Sequence, residues 1–236
     1  MKIAGYLKTS LIEWPGKISS VIFVPGCNFR CPFCHNRDLV EPQEIKKLPE
    51  IAEKEIFKNL KKRKKWIDGV VVTGGEPTLQ PDLAQFLQKC QALGFKTMVE
   101  TNGSQPAVIK KLILAKLVDY WRMDYKVPLG EYRKLTNLAK IAAKIAQSIK
   151  ILAMSSADWE LRTTIVPGIH DSKILLQMAK ELKIGGKINW SLQNFQPKNC
   201  LDPKFNKIKP YSKIRLEELL KAVKKTVPEI SLKLNE

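Results

Sequence analysis

The 236-residue sequence has no apolar run long enough to cross a lipid bilayer, and it does not open with a signal peptide. It has only five cysteines, three of them close together, which argues against the disulfide framework of a small secreted protein. Internal repeats and low-complexity segments are also absent. We therefore expect a cytoplasmic protein of a reducing cell.

Acidic residues are scarce as well, since 23 Asp and Glu stand against 41 Lys and Arg, which gives a net charge of +18. A basic surface can attract nucleic acid, anionic lipid or an acidic protein. The lysines are scattered, however, and the one dense run, at 61–65, ends a predicted helix, where cations favour the helix dipole. No basic motif has interleaved aromatic residues, so binding of nucleic acid or of a membrane is not expected.

Short buried strands alternate with amphipathic helices along most of the chain. The predicted strands are 21–24, 69–72, 96–101, 118–125, 159–166 and 188–193, with 230–234 as a candidate edge strand. The predicted helices are 48–62, 81–93, 107–115, 131–150, 172–182 and 212–227. Six β–α units predict an α/β fold with a mainly parallel sheet and helices outside. A closed eight-unit barrel usually needs about 250 residues, so we expect an open, partial (βα)6 barrel and a single domain over 1–236.

Three cysteines follow the first predicted strand in a C-x3-C-x2-C pattern. They are Cys27, Cys31 and Cys34. Thiolates select iron–sulfur clusters or zinc, and a structural zinc site wants four closed ligands. His35 is too near in sequence to complete a tetrahedron easily. The spacing therefore favours a [4Fe–4S] cluster with one iron left open, and zinc is the alternative.

The remaining cysteines and the two histidines receive no chemical role from the sequence. Cys90 lies on the apolar face of a predicted helix and is expected in the core. Cys200 lies in a proline-bearing loop and is expected to be a free thiol. His35 would pack near the metal centre or orient its loop, and His170 is expected in a loop. No residue is assigned as a catalytic acid or base.

Polar or glycine-rich segments follow five of the predicted strands. These segments are the cysteine loop and residues 73–77, 100–103, 124–126 and 162–168. In parallel α/β folds, ligands bind at the carboxyl ends of the strands, so we predict a single pocket there. Glu76 or nearby carbonyls would accept hydrogen bonds from an ammonium group. Asp124 and Lys126, two residues apart on a strand, share one face, where the lysine would pair with a carboxylate. A glycine-rich turn and a structural ion pair are the alternatives.

The cysteine loop, with Phe33 before its last cysteine, resembles the cluster loop of the radical S-adenosylmethionine superfamily. The segments KTSLIEWPG at 8–16 and CHNR at 34–37 resemble one branch, the activating enzymes of glycyl radical enzymes. The likeness extends from the start of the chain to about residue 193. Within the branch, the sequence is most similar to the activating proteins of anaerobic ribonucleoside-triphosphate reductase.

This resemblance implies an oxidoreductase that uses S-adenosylmethionine together with the [4Fe–4S] cluster. Reductive cleavage of S-adenosylmethionine would give methionine and a 5′-deoxyadenosyl radical. That radical would abstract hydrogen from a glycine Cα of a glycyl radical enzyme, here the anaerobic reductase. A flavodoxin or ferredoxin would supply the electron.

The resemblance also implies roles for particular residues. The Gly-Gly-Glu-Pro turn matches the motif that holds the amino group of S-adenosylmethionine, and Asp124-x-Lys126 matches part of the carboxylate site. Glu100 stands where an aspartate is expected, which argues against a tight cation site built on that carboxylate. Arg162 is a further candidate for the carboxylate. The predicted contacts to S-adenosylmethionine are Gly74, Gly75, Glu76, Glu100, Asn102, Asp124, Lys126 and Arg162.

Two other functions remain open from the sequence. A radical enzyme acting on a small molecule, such as a 7-deazaguanine synthase, would share the cofactors, but that group tends to read Cys-Asp-Thr where this chain reads Cys34-His-Asn. A zinc- or cluster-dependent nucleic-acid-binding module would fit the basic charge. It would explain neither the Gly-Gly-Glu-Pro turn nor the polar residues at the strand ends.

Overall fold

The structure is a computed structural model that describes residues 1–182 and 188–233. Its chain divides into two compact units, between which the sequence passes several times. The first unit comprises Met1–Asn28, Asn36–Arg122 and Ser156–Asp158; the second comprises Phe29–His35, Met123–Ser155 and Trp159–Glu236. The single domain expected over 1–236 remains a prediction.

The first unit is built on four strands that lie side by side in the order of the chain. These are β1 (Gly5–Ser10), β2 (Ser19–Val24), β3 (Gly69–Gly74) and β4 (Lys96–Thr101). β2, β3 and β4 are parallel, as predicted, whereas β1 runs antiparallel to β2. β1 was not predicted, because its central residues are exposed and show no apolar alternation.

Five helices connect the strands of the first unit. They are α1 (Arg37–Val40), α2 (Pro42–Ile45), α3 (Glu53–Arg63), α4 (Leu83–Ala92) and α5 (Pro106–Leu114). The helix predicted at 48–62 starts five residues later than expected. Pro49 disfavours a helical conformation at Leu48, and Ala52, which precedes α3, has an extended backbone. Cys90 is fully buried on α4, which confirms its predicted place in the core.

The core of the first unit contains a cluster of Trp14, Val21, Val71 and Met98. Trp14 also lies 6.1 Å from Tyr120, measured between ring centroids. Gly69 at the start of β3 leaves room for the indole, because a Cβ atom there would come within 2.6 Å of Trp14. Trp14, in the Trp-Pro-Gly segment that follows β1, thus contributes to the hydrophobic core.

The second unit contains three parallel strands, again in chain order. They are β6 (Asp158–Ile165, of which Asp158 belongs to the first unit), β7 (Trp190–Asn194) and β8 (Ser231–Lys233). β5 (Tyr120–Asp124) begins in the first unit and ends in the second. The candidate edge strand at 230–234 is confirmed over Ser231–Lys233, and Leu234 lies outside the described residues.

Over its described residues, the second unit contains four helices: α6 (Tyr132–Thr136), α7 (Ile141–Ala153), α8 (Ser172–Glu181) and α9 (Lys213–Lys224). The continuous helix predicted at 131–150 is wrong, because the chain is interrupted between α6 and α7. Asn137 and Lys140 have φ values of 56° and 57°, in the left-handed region, which no right-handed helix accommodates. Asn is among the residues that enter this region most readily, so Asn137 ends α6.

The observed elements therefore match the predicted alternation of strands and helices in both units. The six predicted parallel strands correspond to β2–β7, with ends shifted by at most two residues. Within residues 1–182 and 188–233, no helix combines the length and the apolar character needed to cross a lipid bilayer.

Candidate functional site

The cysteine loop leaves the end of β2 in close contact with the glycine pair that ends β3. The Gly75 N–H donates to the Val24 carbonyl at 2.8 Å, and the Glu76 N–H donates to the Gly26 carbonyl at 2.7 Å. A Cβ on Gly75 would lie 2.1 Å from the Gly26 oxygen, and Gly74 has a φ of +116°. Both glycines are thus required for the approach of two backbones, whatever ligand they also contact.

Glu76 is completely buried, and its carboxylate is bound by the protein itself. It accepts hydrogen bonds from the Thr78 N–H (3.0 Å), the Thr101 hydroxyl (2.7 Å) and the Asn102 N–H (2.6 Å). Burial raises the pKa of Glu76, although these hydrogen bonds oppose the shift. The carboxylate joins the turn after β3 to the segment after β4, so its oxygens are occupied by groups of the protein.

Asn102 connects this network to the first cysteine of the loop. Its side-chain Nδ2 lies 3.7 Å from the sulfur of Cys27 and 3.0 Å from Oδ1 of Asn28. In the first unit, the structure therefore brings together three of the predicted segments: the start of the cysteine loop, 73–77 and 100–103.

Glu100 has a different set of contacts from the one expected of a cofactor ligand. Its carboxylate accepts a hydrogen bond from Thr73 at 2.9 Å and lies 2.5 Å from a guanidinium nitrogen of Arg122. Arg122, which sequence reasoning missed, is 3% exposed and also lies 3.7 Å from Glu13. A charged residue in the middle of an otherwise apolar strand was the signal that could have identified this buried ion pair.

Cys31 and Cys34 belong to the second unit, where a later part of the chain holds their loop. The Cys34 N–H donates to the Cys31 carbonyl at 3.0 Å, and the Cys34 carbonyl accepts from the Leu201 N–H at 3.0 Å. The Pro32 carbonyl accepts from the Asp202 N–H at 2.9 Å. Cys200, which precedes these residues, is a buried free thiol whose pKa is raised by burial.

A group of three charged side chains lies at the ends of β5 and β6. Lys126 Nζ is 2.8 Å from Asp124, and Arg162 Nε is 3.1 Å from the other oxygen of the same carboxylate. Burial alone would raise the pKa of Asp124, but the two cations hold it below its ordinary value. β5 ends at Asp124, so Lys126 follows the strand, and the ion pairs bring its ammonium group and Arg162 to the same carboxylate.

Lys126 also lies near the thiols of the cysteine loop. Burial disfavours its charged form, but Asp124 and then the negative charges of Cys31 and Cys34 raise the pKa of Lys126 above its ordinary value. The charge on the Lys126 ammonium group is therefore favoured by two of the three cysteines. In the second unit, the structure brings together the remainder of the cysteine loop and the segments 124–126 and 162–168.

Two side chains that sequence reasoning did not assign hold the backbone of Lys126. The Lys126 N–H donates to the hydroxyl of Tyr132 at 2.9 Å. Nδ1 of His170 accepts from the Val166 N–H at 3.0 Å, so the proton is on Nε2, which donates to the Lys126 carbonyl at 2.7 Å. The position of His170 just after the Val166-Pro-Gly turn was its only signal in the sequence.

His35 packs in the second unit with its ring 5.5 Å from that of Phe195. Burial lowers the pKa of His35, and the ring also forms a hydrogen bond with the backbone of Gln196. Nε2 is buried and has no protein partner among the described residues, so the hydrogen bond to Gln196 belongs to Nδ1. Such a buried, unused nitrogen directly after Cys34 is suited to a bound group rather than to solvent.

These observations fit the predicted cluster and S-adenosylmethionine. In the first unit, the amide of Asn102 points at the thiol of Cys27. In the second unit, the thiols of Cys31 and Cys34 favour the charged form of Lys126. Soft thiols are the ligands that an iron–sulfur cluster prefers. Over residues 1–182 and 188–233, no three His, Cys, Asp or Glu side chains converge to hold one metal ion. A cubane binds each cysteine to a different iron, so the cluster assignment does not require such convergence.

The sequence was compared with protein families and with curated proteins. The model of the radical SAM superfamily matches residues 21–179. A protein of Methanocaldococcus jannaschii whose name assigns it to the glycyl-radical enzyme activating enzymes is 31% identical, over 98% of this chain and 95% of its own length. A pyruvate formate-lyase-activating enzyme of Clostridium pasteurianum is also 31% identical, over 69% of this chain and 68% of its own length.

Solved structures of low sequence identity have the same fold. A radical SAM methyltransferase of Sphaerobacter thermophilus superposes with a TM-score of 0.73 at 14% identity, over 97% of this chain and 69% of its own. SuiB of Streptococcus suis, bound to S-adenosylmethionine, superposes with a TM-score of 0.66 at 17% identity, over 92% of this chain and 52% of its own. These likenesses confirm the predicted fold class, an open α/β barrel with a mainly parallel sheet.

Replacement of Arg122 by Met removes the guanidinium that lies beside Glu100, and we expect it to lower the free energy of unfolding by about 3–5 kcal/mol. Urea unfolding followed by circular dichroism measures this loss. The double variant with Glu100→Gln is the control, since it removes the carboxylate too and should recover part of the stability. A double variant less stable than the single one would contradict a buried ion pair.

His170 should make the stability depend on pH. Burial lowers the pKa of His170 to about 4, whereas an unfolded histidine titrates near 6.5, so the unfolded chain binds the proton first as the pH falls. Stability should therefore decrease from pH 6.5 to pH 4, by up to about 3 kcal/mol from this residue alone. Urea unfolding of wild type and His170→Gln at a series of pH values isolates this contribution. Equal slopes in both proteins would show that His170 is not buried in its neutral form.

Proposed function

Because the chain belongs to the radical S-adenosylmethionine superfamily, we propose that it is an activating enzyme that generates the radical of a glycyl radical enzyme. The superfamily predicted from the cysteine loop is confirmed, and with it an enzyme that uses a [4Fe–4S] cluster and S-adenosylmethionine. The activase function is supported by relatives of similar length that carry this name, together with the segments at 8–16 and 34–37.

We assign the cluster to Cys27, Cys31 and Cys34. When bound, the cluster supplies the electron that splits S-adenosylmethionine into methionine and the adenosyl radical that takes the hydrogen atom. The residues of the chain hold and orient the cofactors and exclude competing reactions. Burial of Cys31 and the backbone hydrogen bonds from residues 201 and 202 keep this half of the loop in one conformation.

The observation that carries the proposal is the ion-paired group of Lys126, Asp124 and Arg162, in which the charge on Lys126 is also favoured by Cys31 and Cys34. An ammonium with three donors can bind a carboxylate, and the methionyl end of S-adenosylmethionine presents one. Asp124 holds Lys126 and Arg162 in place, while Tyr132 and His170 fix the backbone of Lys126. We therefore assign the carboxylate of the cofactor to Lys126, with Arg162 as its neighbour.

We assign the amino group of the cofactor to the backbone carbonyls of residues 74–76. Glu76 supports this segment from inside the protein, since all the contacts of its carboxylate described above are with protein groups. Glu100 supports it in the same way through Thr73. Both glutamates thus contribute to binding by positioning the backbone.

We further propose anaerobic ribonucleoside-triphosphate reductase as the partner, in the cytoplasm, with a flavodoxin or ferredoxin as electron donor. The support is the likeness of residues 8–16 and 34–37 to the activating proteins of that reductase. The related pyruvate formate-lyase-activating enzyme makes pyruvate formate-lyase the competing partner. A radical enzyme acting on a small molecule remains the second candidate function.

Anaerobic mixing with each candidate partner tests the proposal. Reduced protein and S-adenosylmethionine should produce a glycyl doublet in the electron paramagnetic resonance spectrum of the reductase, together with 5′-deoxyadenosine. A doublet on pyruvate formate-lyase alone would correct the partner and leave the function intact. Formation of 5′-deoxyadenosine with no radical on either protein would refute the activase function.

Replacement of Cys31 by Ala should remove cluster iron and S-adenosylmethionine cleavage together, because it deletes one of three ligands. Iron analysis after anaerobic reconstitution, combined with an assay of 5′-deoxyadenosine, measures both. Cys90→Ala is the matched control: Cys90 is fully buried on α4, so its loss should cost about 0.5–3 kcal/mol of stability and no iron. Loss of iron from the Cys90 variant would show that the ligand assignment is incomplete.

A further inference from the structure

The amide of Asn102 is held in one orientation by its hydrogen bonds. Oδ1 accepts from the backbone N–H of Ser104 at 2.9 Å, and a backbone N–H can only donate. The nitrogen of the amide must therefore be the atom that faces Asn28 and Cys27. A flipped amide would place two donors together at Ser104 and two acceptors together at Asn28.

Each of the two protons on Nδ2 has its own acceptor. One is directed at Oδ1 of Asn28, 3.0 Å away, and the other at the sulfur of Cys27, 3.7 Å away. Asn28 is fixed in turn by Ser104, whose hydroxyl oxygen lies 2.9 Å from Nδ2 of Asn28. Because these hydrogen bonds fix the amide plane, the second proton on Asn102 Nδ2 points at the sulfur of Cys27.

The backbone of Asn102 is equally constrained. Its N–H donates to the buried carboxylate of Glu76 at 2.6 Å, and the next N–H, from Gly103, donates to the hydroxyl of Thr101 at 3.1 Å. Asn102 itself is 5% exposed and Ser104 is fully buried. The donor is thus preorganised, so the protein need not reorganise when charge develops on the sulfur.

A hydrogen bond to a cluster thiolate stabilises negative charge, and the reduced cluster carries one more electron than the oxidised one. Such bonds are among the factors that set the reduction potentials of iron–sulfur clusters. We propose that Asn102 is a positioning residue that donates to the sulfur of Cys27 and raises the reduction potential of the cluster, with Asn28 and Ser104 holding its amide. The proposal rests on the proposed function, since it takes Cys27 as a cluster ligand.

The test is a redox titration of the anaerobically reconstituted protein without S-adenosylmethionine. The electron paramagnetic resonance signal of the reduced cluster reports the fraction reduced at each potential. Asn102→Asp keeps the acceptor for the Ser104 N–H and replaces the donor by an oxygen, and the amide of Asn28 can turn to donate to it. We expect iron content as in wild type and a ratio of reduced to oxidised cluster at least tenfold lower at a fixed potential. For a one-electron couple, this is a shift of about 59 mV.

Asn59→Asp is the matched control, because it makes the same substitution on α3, where the side-chain amide donates to the Glu55 carbonyl at 2.9 Å. Its ratio of reduced to oxidised cluster should stay within about threefold of wild type, a shift of less than about 30 mV at 59 mV per tenfold. An unchanged ratio in Asn102→Asp, or equal shifts in both variants, would overturn the proposal.

A measurement on the wild type covers the case in which Asn102→Asp fails to retain iron. Protein labelled with 15N only at asparagine side-chain amides should show a 15N hyperfine coupling to the reduced cluster, because the Asn102 nitrogen lies 3.7 Å from the Cys27 sulfur. Absence of this coupling would overturn the proposal. A chain that binds no iron at all would instead refute the proposed function, so the two failures are distinct.

Discussion

The buried carboxylate of Glu76 is the constraint on which the first unit depends. A carboxylate out of water costs several kcal/mol unless hydrogen bonds compensate, and here the segments after β3 and β4 supply them. Because the acceptor cannot move, Asn102 takes a fixed position, and its amide reaches Cys27. In the same turn, the Glu76 N–H donates a hydrogen bond to the Gly26 carbonyl, which fixes the start of the loop that carries Cys27.

In the second unit, ion pairs fix the position of the residue on which the site depends, Lys126. Lys126 is held by Asp124 at its ammonium group and by Tyr132 and His170 at its backbone. Cys31 and Cys34 favour its charged form, and a positive charge there would favour their thiolates in return. A lysine that stays charged next to two thiols suits a site that must accept an anionic group from the cofactor.

Local patterns predicted much of the fold and some of the site. The six parallel strands, the cysteine loop and the closeness of Asp124 to Lys126 follow from spacing over a few residues, and spacing is visible in the sequence. The break between α6 and α7 could not be predicted from the helical period of the apolar residues. That period continues through Asn137, whereas the backbone of Asn137 is in the left-handed region. β1 was missed because its exposed residues lack alternation.

The long-range pairs required the structure. Glu76 was expected to face a ligand, yet its partners, Thr101 and Asn102, are distant in sequence and make it a support for the backbone. Two further contacts also join residues that are distant in sequence: the ion pair of Glu100 with Arg122, and the hydrogen bond of His170 to the Lys126 carbonyl. Sequence spacing predicted which residues would carry the chemistry, and tertiary contacts show which of their atoms are already bound by protein groups.

We propose that Cys27, Cys31 and Cys34 hold the cluster and leave one iron open to S-adenosylmethionine. Titration of the anaerobically reduced protein with S-adenosylmethionine, followed by electron paramagnetic resonance, tests this most directly. We predict the signal of a reduced [4Fe–4S] cluster and a change in its shape as the cofactor binds the open iron. A reduced cluster whose signal is unaffected by saturating S-adenosylmethionine would contradict the account.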